Sequence, residues 1–168
     1  MPTDSGRAAV IVASTSAAAG TNPDLTGPEI AVWLRDRGYD VSGPIVVADG
    51  DPVGHALRTE LAAGARVIIT TGGTGVSPSD LTPEQTAPLI EAKLPGIIEA
   101  IRRRGEAHTP FAILTRGVAG FAGHCFIVNL PGSRGGVRDG LSVLDPVLAH
   151  LLSQRSGAHA TNAHGPRA

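Results

Sequence analysis

The sequence predicts a single α/β domain, a three-layer α/β/α sandwich with a mainly parallel sheet. Short runs of β-branched and alanine residues alternate along the chain with longer segments in which apolar residues recur every three or four positions. Residues 67–71 are a continuous run of the kind that is covered on both faces. Aromatic residues make up only 3% of the chain, which suits close packing of helices on a sheet. Alternating strands and helices imply right-handed crossovers between parallel strands.

The first strand and the first helix are predicted within residues 8–38. Residues 8–13 are a β-branched and alanine run, and the small polar residues 14–23 after it predict a loop. Thr26-Gly27-Pro28-Glu29 has the spacing of a capping box, and the apolar stripe behind it predicts a helix. We expect this helix to end near Gly38.

A second strand, a helix and a third strand follow. Residues 41–47 predict the strand, and Pro44 within it indicates an edge position or a bulge. Asp51-Pro52 is typical of an N-cap followed by proline at the first helical position, and Gly64 indicates the end of that helix. Residues 67–71 then predict the third strand.

The second half of the chain predicts two more strands between helices. Thr82-Pro83-Glu84-Gln85 repeats the capping pattern, and another helix begins near Pro95. Residues 112–115 and 126–130 predict strands, and the glycine-containing stretch 117–123 separates them.

The last helix and the end of the chain complete the predicted domain. Apolar residues share one side of a helix from 137 to 152, with Pro146 as a kink. From Arg155 onward the chain is small and polar with no apolar period, which predicts a disordered tail over 155–168. We therefore predict one domain that spans residues 1–154.

Charge and composition argue against several classes of protein. The net charge of -1 gives no reason to expect a nucleic acid or an anionic membrane as partner. No apolar segment approaches the ~20 residues of a membrane span, and residues 1–6 lack the order of a signal peptide, so we expect a cytoplasmic protein. The single cysteine, Cys125, excludes an intrachain disulfide, and its apolar neighbours predict a buried, inert thiol.

Hydroxyls, carboxylates and glycines follow the predicted strands at the edge where parallel sheets bind ligands. Ser14 follows the first strand, Asp49 follows the second, and residues 72–80 follow the third. Pro131-Gly132-Ser133 follows the last strand. Glycines let a ligand approach the backbone, and bare N–H groups suit phosphate. The glycine turn lacks a Walker A lysine and the third glycine of the dinucleotide fingerprint, so a purely structural turn stays an alternative.

Asp49 and Asp80 carry the most specific chemistry. A carboxylate at a strand end and another at a helix entry can together hold Mg²⁺ against phosphate oxygens. Two alternatives stay open, namely a turn role for Asp49 and a helix-start role for Asp80 that the helix dipole favours. The six histidines are scattered without metal-ligand spacing, which argues against a zinc site.

An ordered set of motifs resembles one known family. The motifs, in chain order, are Asp24-Leu25-Thr26-Gly27-Pro28, Val46-Val47-Ala48-Asp49, Thr70-Thr71-Gly72-Gly73-Thr74-Gly75, Ser79-Asp80-Leu81-Thr82-Pro83-Glu84, Leu94-Pro95-Gly96, Leu114-Thr115-Arg116-Gly117 and Ile127-Val128-Asn129-Leu130-Pro131-Gly132-Ser133. This set resembles the MoaB/Mog family of molybdenum-cofactor biosynthesis proteins, whose fold also forms the G domain of gephyrin. The likeness covers roughly residues 7–153 in collinear order and implies the molybdopterin-binding MoaB/Mog fold.

What the resemblance implies is an enzyme, a molybdopterin adenylyltransferase. The terminal phosphate of molybdopterin would attack the α-phosphate of ATP, release pyrophosphate and give adenylyl-molybdopterin, with Mg²⁺ as cofactor. Asp49 and Asp80 fall at family positions with catalytic acid roles, exerted through Mg²⁺. The positions that the resemblance assigns to substrate binding are Ser14, Thr71, Gly72, Gly73, Thr74, Gly75, Ser77, Pro131, Gly132, Ser133 and Arg134.

The resemblance also implies a homotrimer, and a downstream molybdenum-insertion protein as partner. Four positions depart from the family pattern: Thr15 follows Ser14 where aspartate is usual, Ala48 stands where proline is common, Thr115 replaces the usual serine, and Arg134 stands where proline is frequent. A second function therefore stays open, a MoaB-type paralogue that binds molybdopterin or nucleotide with little or no adenylyltransferase activity. Retention of both Asp49 and Asp80 favours the enzyme.

Overall fold

A six-stranded sheet lies at the centre of the domain in the computed structural model, which describes residues 5–157. The strands are β1 (Arg7–Ala13), β2 (Asp40–Val47), β3 (Val67–Thr71), β4 (Ala92–Lys93), β5 (Ala119–Ala122) and β6 (Cys125–Leu130). Their order across the sheet is β2-β1-β3-β6-β5-β4. Neighbours among β2, β1, β3 and β6 are parallel, whereas β5 pairs antiparallel with β6 and β4 pairs antiparallel with β5. The predicted α/β fold with a mainly parallel sheet is confirmed.

Helices cover both faces of this sheet. They are α1 (Thr15–Ala18), α2 (Gly27–Arg35), α3 (Asp51–Ala62), α4 (Thr82–Thr86), α5 (Pro95–Glu106), α6 (Arg134–Leu144) and α7 (Leu148–Arg155). Side chains of β1 alternate between two apolar clusters, because successive residues of a strand point to opposite faces. Val10 and Val12 pack with α2, α5, α6 and α7, whereas Ile11 packs with α3, which gives the predicted three layers. None of the described helices has the length and apolarity that crossing a membrane requires.

Both features predicted from Pro44 are present. β2 is an edge strand of the sheet. Its pairing with β1 shifts along the strand, since Ala9 pairs with Ser42 while Ile11 pairs with Ile45. The extra residue on β2 is an irregularity of the kind at which a strand tolerates proline.

The strand predicted at residues 112–115 is wrong. Pro110–Leu114 forms a 3₁₀ helix instead. The hydroxyl of Thr109 accepts a hydrogen bond from the N–H of Phe111 at 3.3 Å and so caps this helix. A hydroxyl cap followed by proline is a helix-start signal, which the apolar residues after it obscured.

The stretch 117–123, predicted to separate two strands, instead contains β5. Gly120 of β5 pairs with Lys93 of β4, a two-residue strand that was not predicted. A Cβ at Gly120 would lie 2.3 Å from the carbonyl oxygen of Ala92. The glycine therefore permits close approach of two strands and does not interrupt one.

Two predicted capping residues in the first half of the chain are corrected. The N–H groups of Thr26 and Gly27 donate to Oδ1 of Asp24, at 3.1 and 2.9 Å, and the Thr26 side chain makes no cap bond. Asp24, not Thr26, thus caps the start of α2. At α3 the N-cap position is Gly50, and Asp51 is the first helical residue.

The predicted last helix is divided into α6 and α7. The division falls at residues 145–147, so Pro146 lies at a break and not at a kink within one helix. Arg155 closes α7, which corrects the predicted start of the tail, and residues 158–168 of that tail lie outside the described residues. The domain boundary at residue 154 stays a prediction.

Cys125 is buried in the apolar cluster beneath α3, as predicted. Burial raises the pKa of its thiol to about 12. Because the thiolate is the reactive form, this cysteine is inert at neutral pH.

Asn129 of β6 joins four segments beneath the carboxyl edge of the sheet. Its amide donates to the hydroxyls of Thr70 and Thr86, at 2.9 and 3.0 Å, and its Oδ1 accepts from the N–H of Val118 at 3.1 Å. We expect Asn129→Leu to lower the free energy of unfolding by about 2–4 kcal/mol, because leucine leaves these buried partners unpaired. Urea unfolding measures the loss. Asn22→Leu, at an exposed position, is the control, and an equal loss in both variants would contradict the role of this network.

Candidate active site at the carboxyl edge of the sheet

The carboxyl ends of four parallel strands meet at one edge of the sheet, as predicted. Ala13 of β1 pairs with Val47 of β2, and Thr71 of β3 pairs with Leu130 of β6. The segments that follow these strands therefore begin side by side. They carry the residues that the sequence marked as site candidates.

Gly72 brings three of these strands into close backbone contact. Its N–H donates to the carbonyl oxygen of Leu130 at 3.2 Å. Its φ is +87°, and a Cβ there would lie 2.3 Å from the carbonyl oxygen of Ala13. Gly132 approaches from the next loop, since its Cβ would lie 3.2 Å from Cα of Gly72. At Gly72, glycine is required by the fold itself.

Asp49 is held in place by Thr15. Its Oδ2 accepts from the hydroxyl of Thr15 at 3.0 Å and from the N–H of Thr15 at 3.3 Å. The N–H of Asp49 in turn donates to the Thr15 hydroxyl at 3.2 Å. Thr15 opens α1, which lies inside the predicted loop 14–23. Sequence reasoning left the role of Thr15 undefined, and the structure shows that this residue orients the Asp49 carboxylate.

Asp80 is oriented by its own loop. Its Oδ2 accepts from the N–H of Ser77 at 2.9 Å, and its N–H donates to the carbonyl oxygen of Ser77 at the same distance. Ser77 therefore contributes a backbone group that fixes Asp80, while its own side chain is exposed. The pair forms a tight turn between the glycine segment and α4.

Both carboxylates border the glycine turn. Oδ1 of Asp49 lies 2.9 Å from the position that a Cβ of Gly73 would occupy, and Oδ2 of Asp80 lies 2.7 Å from that of Gly75. A side chain at either glycine would therefore meet a carboxylate. Glycine at these two positions therefore lets the carboxylates lie directly against the turn.

Arg116 is hydrogen-bonded to the segment between the glycine turn and α4. The sequence alone predicted no role for this residue. Its guanidinium donates to the carbonyl oxygens of Gly75 and Asp80, both at 2.7 Å, and to the carboxylate of Glu84. Its backbone N–H donates to the carbonyl oxygen of Thr74 at 2.8 Å. The hydrogen bond from Arg116 lowers the pKa of the Glu84 carboxyl, and Glu84 raises the pKa of Arg116. Both groups stay charged around neutral pH.

We expect Arg116→Gln to loosen the loop of residues 75–80 without unfolding the sheet. Glutamine cannot bond two carbonyls and a carboxylate together as the planar guanidinium does. Hydrogen exchange should show the amides of this loop exchanging severalfold faster, with the amides of β3 and β6 unchanged. Arg103→Gln on the exposed side of α5 is the control. Equal protection of the loop in both variants would show that Arg116 is dispensable for it.

A cavity of about 410 Å³ opens beside the glycine turn. It is lined by residues at and after the carboxyl ends of β1, β3 and β6 and by the segment before α2. These residues are Val12, Ala13, Ser14, Ala17, Pro23, Asp24, Leu25, Thr26, Thr71, Gly72, Gly132, Ser133 and Arg134. The cavity thus brings six of the predicted substrate-binding residues together.

The hydroxyl groups at this cavity are largely engaged in the fold. Ser14 accepts from the N–H of Ala17 and caps α1, and Ser133 accepts from the N–H of Gly136 and caps α6. Thr71 is buried, and its hydroxyl donates to the carbonyl oxygen of Pro131 at 2.8 Å. The side chain of Thr71 consequently fixes the loop after β6, and its predicted contact with a substrate stays a prediction.

The other predicted site residues do not line this cavity. Thr74 is buried, and its hydroxyl bonds that of Thr115 at 3.0 Å, so its side chain also supports the loop. Pro131 lines a neighbouring cavity of about 480 Å³, which it shares with Ser133. Gly73, Gly75, Ser77 and Asp80 follow along the turn, and Asp49 borders it from the segment after β2.

Positive charge lies at the mouth of the cavity. Arg134 is more than half exposed and opens α6, whose N-terminus carries the positive end of the helix dipole. Glu29 is shared by two arginines, because Arg138 donates to it at 3.0 Å while Nε of Arg134 stays 3.9 Å away. Arg134 is therefore incompletely neutralised and favours an anionic ligand here.

No cluster of three or more His, Cys, Asp or Glu side chains that could hold a metal occurs in residues 5–157. The two acids also differ in surroundings, since Asp49 is bonded to Thr15 and Asp80 to Ser77. A cation at this edge would thus need oxygen atoms from a ligand in addition to a protein carboxylate. Mg²⁺ is commonly bound in this way, through one or two carboxylates and substrate phosphates.

Comparison with known proteins identifies the domain. Residues 9–150 match a family model described as a probable molybdopterin binding domain. A molybdenum cofactor biosynthesis bifunctional protein from Synechococcus elongatus is 38% identical over 156 residues, which is 92% of this chain and 49% of that protein. A molybdopterin adenylyltransferase from Pyrococcus furiosus is 36% identical over 148 residues, which is 85% of this chain and 87% of that protein.

Solved structures agree with this result. The molybdopterin biosynthesis Mog protein from Mycobacterium ulcerans is 52% identical with a TM-score of 0.85, over 90% of this chain and 99% of that chain. The chain spans about half the length of the bifunctional relatives that it matches. The family match, the parallel sheet and the glycine turn between two acids agree, and the chain belongs to the MoaB/Mog family of molybdenum-cofactor biosynthesis proteins.

Proposed function

We propose that this protein is a molybdopterin adenylyltransferase, which transfers AMP from ATP to the terminal phosphate of molybdopterin and releases pyrophosphate. The observation that carries the proposal is that Asp49 and Asp80 border the same glycine turn, at Gly73 and at Gly75. A relative of nearly the same length, from Pyrococcus furiosus, bears the name molybdopterin adenylyltransferase. Transfer between two phosphates needs close alignment of two anions and an offset of their charge, and this edge of the sheet offers means for both.

The residues present fit a bound magnesium ion. Oδ1 of Asp49 lies beside Gly73 and Oδ2 of Asp80 lies beside Gly75, so the protein atoms offered are carboxylate oxygens. Mg²⁺ prefers such ligands and shares them with substrate phosphates. When bound, the ion supplies positive charge that offsets the charge of the phosphates.

The chain itself orients the reactants. Thr15 holds the Asp49 carboxylate, and the N–H of Ser77 holds that of Asp80, so neither acid has to reorganise when substrates arrive. Gly73 and Gly75 let phosphate oxygens reach the backbone. Arg134 and the N-terminus of α6 attract the terminal phosphate of molybdopterin to the 410 Å³ cavity.

A second candidate is a MoaB-type paralogue that binds molybdopterin or nucleotide and turns over little. The departure that favours it is Thr15, which stands where the family usually carries an acid. Thr15 bonds to Asp49, and this contact favours retained activity, because it fixes the acid that the proposal needs.

Pyrophosphate release separates the two candidates. The protein is incubated with ATP and Mg²⁺, with and without molybdopterin, and pyrophosphate is quantified. We expect multiple turnovers of pyrophosphate only when molybdopterin is present. Release limited to less than one equivalent per chain, under conditions in which a known family enzyme turns over, would favour the binding paralogue.

We also propose a cytoplasmic homotrimer that delivers adenylyl-molybdopterin to a molybdenum-insertion protein. Exposed apolar side chains on the 3₁₀ helix Pro110–Leu114 support self-association, because Phe111 is 74% exposed and Ile113 56% exposed.

A further inference from the structure

A third cavity lies between β4, the start of α5 and the segment 116–118 that leads into β5. It has a volume of about 300 Å³ and shares no lining residue with the two cavities described above. Its lining is mostly apolar and includes the buried side chains of Ile90, Ile98 and Ala119. Small-molecule sites are commonly cavities of this kind, in which a few polar groups fix a ligand against an apolar lining.

The charged side chains at this cavity are all positive. Lys93, Arg102 and Arg116 line it, and no described aspartate or glutamate does. The charge of Arg116 is offset by an ion pair with Glu84. Arg102 donates twice to the carbonyl oxygen of Thr115, at 3.0 and 2.8 Å, and this neutral acceptor leaves its charge uncompensated. No described carboxylate forms an ion pair with Lys93 or Arg102, so two positive charges border the cavity without a counter-charge.

The segment that lines this cavity also holds the loop of residues 75–80. Arg116 donates to the carbonyl oxygens of Gly75 and Asp80, both at 2.7 Å, and Arg102 fixes the carbonyl that precedes Arg116. A ligand in the cavity would therefore contact the side chain that binds this loop from behind.

We propose that the cavity is a second ligand site, which takes a small organic anion, namely a carboxylate or a phosphate carried on an apolar body. Lys93 and Arg102 attract the anionic group, because their charges have no counter-charge in the protein. The apolar lining accepts the body of the ligand. The bound ligand restricts Arg116 and so stabilises the loop of residues 75–80. The inference is independent of the reaction at the carboxyl edge, because the site needs neither ATP nor molybdopterin.

Chemical labelling of Lys93 is the first test. Lys93 is the only lysine of the chain, so an amine-reactive reagent reports directly on this cavity. The protein is acetylated with an N-hydroxysuccinimide ester, and the rate at Lys93 is measured by mass spectrometry. Saturating phenyl phosphate should slow this rate about threefold or more, because the bound anion engages the ammonium group. The amine at the start of the chain corrects for direct effects of the probe on the reagent, and an unchanged rate at Lys93 would overturn the proposal.

Two further probes test the chemical class of the ligand. Inorganic phosphate carries the anionic group without an apolar body, so it should protect Lys93 less than phenyl phosphate does at the same concentration. Equal protection by the two would overturn the role of the apolar lining. Benzoate has the same aromatic body as phenyl phosphate but a different anionic group. Protection by benzoate equal to that by phenyl phosphate would identify carboxylates as ligands, and weaker protection would identify phosphate esters; both results support the site.

Hydrogen exchange tests the link to the loop of residues 75–80. Phenyl phosphate should slow exchange of the amides of this loop about threefold, because a ligand beside Arg116 holds that side chain on its carbonyl partners. Lys93→Gln removes one of the two uncompensated charges at an exposed position and should abolish most of this slowing. Arg103→Gln, on the exposed side of α5 and outside the lining, is the control and should retain it. Equal slowing in the wild type and in Lys93→Gln would overturn the link.

A third variant separates this site from the carboxyl edge, where Arg134 also attracts anions. Arg134→Gln should weaken binding of phenyl phosphate at that edge and leave the protection of Lys93 unchanged, because Arg134 does not line this cavity. Loss of the protection in Arg134→Gln would overturn the proposal of a separate site. Protection of Lys93 in a protein that releases no pyrophosphate would contradict the proposed function alone. Turnover without any protection of Lys93 would contradict this inference alone.

Discussion

Replacing Asp80 by asparagine is expected to lower the rate of adenylyl-molybdopterin formation by about a hundredfold or more, with the fold intact. Asparagine has the size of aspartate, and its side-chain oxygen can still accept from the N–H of Ser77. The turn should therefore persist, while the charge that helps to hold Mg²⁺ against the phosphates is lost. Groups that stabilise developing charge in a prepared site commonly contribute this much.

Turnover and thermal unfolding are measured together on this variant. Asp36→Asn, at an exposed position at the end of α2, is the control and should turn over normally. Equal turnover in Asp80→Asn and the wild type would remove Asp80 from the mechanism. A variant that fails to fold would favour the alternative in which Asp80 serves the start of α4.

Replacing Gly72 by alanine is expected to lower the free energy of unfolding by about 3–5 kcal/mol. The backbone at Gly72 has a φ of +87°, which costs an L-residue about 1 kcal/mol or more. The larger part of the lost free energy comes from steric overlap. The new Cβ would lie 2.3 Å from the carbonyl oxygen of Ala13, so β1 would have to move. Because Gly72 also lines the cavity, ligand affinity should fall as well.

A second glycine isolates the effect of overlap. Gly123 has a φ of +58°, and apart from the adjoining residues no atom of residues 5–157 lies within 4 Å of where its Cβ would be. Gly123→Ala should therefore lose only about 1 kcal/mol, the cost of its backbone conformation. Denaturant unfolding of both variants gives the difference. Equal losses of unfolding free energy in the two variants would mean that overlap with the carbonyl oxygen of Ala13 adds nothing to the cost of Gly72→Ala.

The central part of the fold was predictable from the sequence because its strands are apolar and continuous. β3 is buried along its whole length, and its composition indicates a strand covered on both faces. β4 and β5 were missed because one has two residues and the other contains Gly120. The role of Gly120 depends on the carbonyl of Ala92, which lies 28 positions away in the chain. Local pattern carries no information about such a contact.

The placement of the candidate site residues was predictable to a similar extent. Parallel strands place the residues after them at one edge, so the proximity of Asp49 to Gly73 follows from topology. The partners that hold these groups do not follow from it. Thr15 reaches Asp49 across 34 positions, and Arg116 reaches Gly75 across 41. Both contacts join loops, and loop conformation has no period from which the sequence could reveal it.

The fate of the α-phosphate of ATP tests the central claim most directly. The protein is incubated with molybdopterin, Mg²⁺ and ATP that carries a radiolabel either in the α-phosphate or in the γ-phosphate, and the pterin product is isolated. Adenylyl transfer predicts that only the label in the α-phosphate enters the pterin product. Each molecule of product should also contain one adenosine for each labelled phosphate. Label from the γ-position, or no labelled product where a known family enzyme forms one, would contradict the proposed function.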